Sequence, residues 1–126
     1  MSEFIDVEDA LQAALNGAGF DACAKPLPAG FACPHVLVDM LSAWDDNAAQ
    51  AVYSVDFDCR AETYGDAAAL QLVVANWLRG LPGSELGGKP VYAVDSLRLQ
   101  RAELDQSHEN VILATVSAEL RVRVAD

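Results

Sequence analysis

The closing stretch from Val111 to Val124 constrains this chain more than any other. Ile112, Ala114, Val116, Ala118, Leu120, Val122 and Val124 recur at every second position, the period of a strand. The alternate positions begin with Val111 and Leu113 and then turn polar with Thr115, Ser117, Glu119, Arg121 and Arg123. Such a strand offers one face to a core and one to water. At about 3.3 Å per residue it would exceed roughly 40 Å, far beyond the usual strand of about five or six residues. In a chain of 126 residues that length demands a large sheet or a partner outside the chain.

Three further strands suit it. Val91 to Leu104 precedes it across the polar turn Asp105-Gln106-Ser107-His108-Glu109-Asn110. Setting Leu99 opposite Val116 puts Leu97 against Ala118, Ala93 against Val122 and Val91 against Val124. It also puts Arg98 opposite Ser117 and diagonal to Glu119, a favourable arrangement. Asp95 then falls on the apolar side opposite Leu120, a flaw that a bulge or a partner's donor would resolve. Farther upstream, Ala51 to Arg60 alternates Tyr53, Val55, Phe57 and Cys59 with Ser54, Asp56, Asp58 and Arg60. His35 to Leu41 opens behind Pro34, at one of the few places where a strand tolerates proline. Trp44-Asp45-Asp46-Asn47 supplies the turn between these two.

Two helices complete the pattern. The first spans Val7 to Asn16, with Asp6 as N-cap, an apolar stripe of Val7, Ala10, Leu11, Ala14 and Leu15, and Gly17 as the left-handed stop. The second spans Ala67 to Arg79, with Asp66 as N-cap and Gly80-Leu81-Pro82 as its end. Ala67, Leu70, Val73, Val74, Trp77 and Leu78 face inward, and Leu72 is left outside. Residues 18–34 read as an extended connection pinned by Phe20, Leu27 and Phe31. The glycine-bearing stretch Pro82 to Pro90 reads as a mobile loop. The order α-β-β-α-β-β predicts one α+β domain over residues 1–126, with a four-stranded antiparallel sheet and both helices packed on one face.

Charge narrows the function. Nineteen acids against eight lysines and arginines leave a net charge of −11, which repels a phosphate backbone and argues against sequence-independent nucleic-acid binding. No apolar run approaches the roughly 18 residues of a membrane span. Met1 to Asp6 is acidic and unlike a signal peptide, so the chain is expected to stay where it is made. Cys23, Cys33 and Cys59 show no Cys-x-x-Cys spacing, which points to a reducing compartment.

Candidate chemistry is thin. Asp56 and Asp58 project from one strand face, where a pair can bind a metal or share a proton but more often simply faces water. Cys33, His35 and Cys59 are one ligand short of a zinc site. Gly83 to Lys89 lacks both the spacing and the following helix of a phosphate loop. No catalytic, cofactor or metal site is expected. Arg98, Arg101, Arg121 and Arg123, however, are half of all the lysines and arginines and lie on the last two strands. A basic hairpin beside an acidic remainder suits head-to-tail association. Pairing with Glu103 and Glu119 inside one subunit is the alternative. Together with Leu72, these arginines are the candidate interface residues.

The N-terminal helix, Leu27-Pro28 and Pro34 ahead of the His35–Leu41 strand, the alternating Tyr53–Arg60 strand, the alanine-rich helix Ala67–Arg79 and the long closing strand together resemble the tail terminator (neck) proteins of long-tailed bacteriophages. The resemblance implies a virion protein, assembled in the host cytoplasm, that forms a ring, usually hexameric, at the head-proximal end of the tail tube. There it would end tube polymerisation and dock a head-completion protein, with tube protein and its own copies as partners. DNA would pass through without specific binding, and Asp56 and Asp58 would suit an acidic lumen. A head-completion or connector protein is the nearest alternative. A dimeric small-molecule-binding module or enzyme, with a cleft near His35, Asp56 and Asp58, is the other.

Overall fold

β-Structure dominates the computed structural model, which describes residues 4–124. The Met1–Glu3 part of the acidic start therefore lies outside the described residues. In chain order the elements are α1 (Val7–Gly17), β1 (Ala22–Ala24), β2 (His35–Asp45), β3 (Gln50–Ala61), α2 (Tyr64–Arg79), β4 (Glu85–Leu86), β5 (Lys89–Leu99), β6 (Glu103–Leu104) and β7 (Ile112–Arg123). The strands join in the order β1-β2-β3-β7-β5-β4, with β6 also on β7, and the sheet curls into a half-barrel.

This corrects the expected four-stranded antiparallel sheet with both helices packed on one face, since the curled sheet is no flat layer for helices to cover. The sheet has seven strands and is mixed, because β1 runs parallel to β2. The three added strands have two or three residues each, too few to show a period. Their partners place them instead. Asn16 clasps β1 from the end of α1, its Nδ2 donating to Ala22 O at 3.0 Å and its Oδ1 accepting from Ala22 N at 2.9 Å. The Pro82–Pro90 stretch is likewise no open loop. Glu85–Leu86 pairs back on Lys89–Pro90 through Gly87 and Gly88, both at positive φ, as a two-residue hairpin requires.

The long strands follow their alternation. Tyr53, Val55, Phe57 and Cys59 of β3 are fully buried, as are Val116, Leu120 and Val122 of β7. These side chains share one core with Val36 and Val38 of β2, Val7, Leu11 and Leu15 of α1, and Val74 and Leu78 of α2. β3 and β7 pair along their whole length, from Gln50–Arg123 to Ala61–Ile112. β7 has twelve residues, and cover from β3 on one side and from β5 and β6 on the other accounts for its length within the chain.

Register and caps depart in detail. Leu99 does face Val116 and Arg98 faces Ser117. A bulge between Asp95 and Arg98, with Ser96 at φ 53, then shifts the register, so that Asp95 meets Glu119 and Ala93 meets Arg121, and a second shift between Val91 and Ala93 sets Val91 against Val122. The bulge moves Asp95 off the apolar side. Helix α1 continues through Gly17, and Gly19 at φ +97 is the left-handed residue, with Gly19 N donating to Asn16 O and Phe20 N to Leu15 O. Helix α2 starts three residues early, capped by Thr63, whose hydroxyl accepts from Asp66 N at 3.0 Å. Its buried face is Ala67, Gln71, Val74, Ala75 and Leu78, so Val73 stands exposed beside Leu72. Gln71 is buried because its Nε2 donates to Gln100 O and Thr115 O, and the former contact lies where β5 breaks from β6.

Candidate functional site on the second face of the sheet

Residues that alternate with the core residues form the second face of the sheet. One row across it runs Asp39, Asp56, Ser117, Arg98, and the next includes Asp58 and Thr115. Asp56 and Asp58 thus do lie on one face. Each is held: Ser117 Oγ donates to Asp56 at 2.7 Å and Thr115 Oγ1 to Asp58 at 2.9 Å. Burial raises the Asp58 pKa, partly countered by the Thr115 hydroxyl and the Arg60 charge. Asp39 also carries a 3.2 Å ion pair with Lys25.

The four arginines do not gather at one point. Arg121 donates through Nε to Asp95 at 2.6 Å and through a terminal nitrogen to Asp46 at 2.7 Å. Its intrachain partners are therefore aspartates, where Glu103 and Glu119 were anticipated. Arg123 lies across from Gln50 on the same face. Arg98 and Arg101 are exposed at and beyond the end of β5. Leu72 is exposed on α2.

A second cluster sits where β2 begins. Cys59 points into the core, and its thiol is pushed up to about 12 by burial. Val36 is its cross-strand partner, while His35 faces Arg60, so Cys59 and His35 lie on opposite faces and the Cys33/His35/Cys59 trio is not assembled. Cys23 takes its place, with Sγ 3.0 Å from His35 Nε2, and Asp21 stands 3.8 Å from His35 Nδ1. This order resembles a nucleophile, base and acid, but the electrostatics run the other way. Burial and then Asp21 raise the Cys23 pKa, and burial lowers that of His35. The pair is a neutral thiol and imidazole, not the thiolate and imidazolium of an activated cysteine. Open clefts of about 320 and 290 Å³ meet at Cys33, Pro34 and Leu70, the second touching His35; Asp56 and Asp58 line neither.

Beside it lies a network absent from the sequence reading. Arg60 Nε donates to Asp105 at 2.8 Å, and His108 Nδ1 lies 2.9 Å from the same carboxylate. Burial works to raise the Asp105 pKa, but the Arg60, Ser107 and His108 contacts outweigh it and hold the carboxyl low. Phe31 packs against both His35 and His108, so the 105–110 turn is tied to the connection before β2. The charge of Arg60 at a wet strand position was a visible signal; its partner, 45 residues away, was not.

Among the described residues no helix is long and apolar enough to cross a membrane. No family model and no curated protein matches the sequence. Among solved structures, the fold is similar to that of a chain in the virion of a native gene transfer agent (GTA) particle. The two share 17% identity at a TM-score of 0.53, and the likeness covers 95% of this chain and 99% of the other.

Proposed function

We propose that this chain is a structural protein of a phage-like virion. It forms a ring at the head-proximal end of a tail tube, ends tube polymerisation there and joins tail to head. The observation that carries the reading is the likeness to a virion chain over nearly the full length of both proteins. Asp39, Asp56 and Asp58 on one face of the sheet would repel phosphate, and Arg98, Arg121 and Arg123 stand on that same face. Tube protein, a head-completion protein and further copies of the chain are the partners.

Native mass spectrometry of the purified chain tests the assembly step. One closed oligomer, six copies, is the expected result, either alone or on contact with tube protein. A dimer retaining a small metabolite would replace this reading with that of a binding module or enzyme. If that face lines the lumen, Asp56→Asn with Asp58→Asn leaves the ring intact and slows DNA passage. Unchanged passage in that variant removes these two residues from the lumen.

A further inference from the structure

The sheet leaves two long edges open, on opposite sides. β1 covers β2 only from Val36 to Val38. Beyond Asp39 the far edge of β2 has no backbone partner among the described residues, and a side chain, Glu8, takes the Met40 N–H at 2.8 Å. On the other side β4 covers β5 at Lys89 and Pro90, and Gly83 and Ser84 bond to Val91. From Tyr92 onward that edge is open among the described residues. Edges that must stay single are blunted by lysine, proline or bulges. Both strands do carry bulges and exposed polar residues (Ser42 and Asp45, Ser96 and Arg98), yet each also exposes large apolar side chains: Leu41 is 56% and Trp44 41% exposed on one edge, Tyr92 47% and Leu99 48% on the other.

The two edges match. β2, β3, β7 and β5 alternate in direction, so β2 and β5 run opposite ways. A neighbour turned about an axis along the strands brings its β2 antiparallel against β5. The cross-strand rows give the level: Ser42 shares a row with Ser54, Glu119 and Asp95, and Trp44 shares one with Val52, Arg121 and Ala93. Asp39 likewise shares its row with Arg98, at the opposite edge. Continuing the sheet without stagger therefore sets the stretch 42–45 beside 92–95 of the next copy. It also sets Asp39 against a neighbouring Arg98, acid to base.

We propose that the β2 edge of one copy, at Ser42 to Asp45, adds antiparallel to the β5 edge of the next, at Tyr92 to Asp95, joining copies head to tail. This rests on the ring reading above and names the surface that makes the ring. Because the two patches differ, the contact is heterologous and repeats until it closes.

Blocking each edge separately tests it. Leu41→Lys with Trp44→Lys blocks the first edge, and Tyr92→Lys with Leu99→Lys the second; all four side chains are exposed, so thermal unfolding should stay near that of the wild type. Mass photometry should show each variant losing the ring with assembly weakened at least tenfold. An equimolar mixture should form heterodimers and nothing larger, since one free edge of each kind remains. As an independent check, Arg98→Glu and Asp39→Lys should each weaken the ring and together restore it. Rings that ignore both blocks and the charge swap overturn the edge contact but leave the ring reading standing. A wild-type chain that stays monomeric with and without tube protein overturns the ring reading itself.

Discussion

Gly19 at φ +97 ends α1 in a conformation that costs an L-residue about 1 kcal/mol or more. Gly17, two residues earlier, is helical, and an added Cβ there would meet nothing within 4 Å. Gly19→Ala should therefore destabilise by about 1 kcal/mol, while Gly17→Ala should stabilise by up to about 1 kcal/mol. Urea unfolding of the two variants reads the difference, and equal effects would contradict the cap. Gly17 was the expected stop, and the backbone bonds place the left-handed residue at Gly19 instead. At the same scale, burial lowers the His35 pKa from 6.5. The unfolded chain then binds a proton that the folded chain refuses, so this contribution is present above about pH 6.5 and is lost as the pH falls. The stability advantage of the wild type over His35→Gln should shrink between pH 7 and pH 5; an advantage independent of pH would refute it.

Among elements, those long enough to show a period were legible: α1, the alternating β3 and the closing β7. The strand pair β5–β7 was legible only as far as the bulge at Ser96, beyond which the register shifts there and again between Val91 and Ala93. Strands of two or three residues carry no period and are fixed by distant partners, such as Asn16 for β1. The buried face of α2 was misjudged because Gln71 looks polar; its amide finds two carbonyls that only the folded sheet brings together. The same lack of local signal hid the Arg60–Asp105 pair, both of whose side chains are buried. Arg60→Leu leaves that carboxylate without its main partner and should cost about 3 kcal/mol or more. Arg121→Leu breaks more exposed contacts and should cost clearly less. Chemical denaturation of both variants tests that ranking.

For the whole molecule, the strand that promised a partner by its length finds cover inside its own sheet. Reason to expect a second copy has moved to the strands that flank it, where β2 and β5 leave apolar side chains beside unpaired backbone. One face of the sheet packs into the core and the other carries both aspartates and arginines, so a ring built through the edges would present one of the two to its channel. Electron microscopy of the chain mixed with a phage-type tail tube protein tests the central claim most directly. The account predicts closed rings seated at one end of each tube, with elongation stopped at that end; tubes that grow at both ends with no ring bound would contradict it.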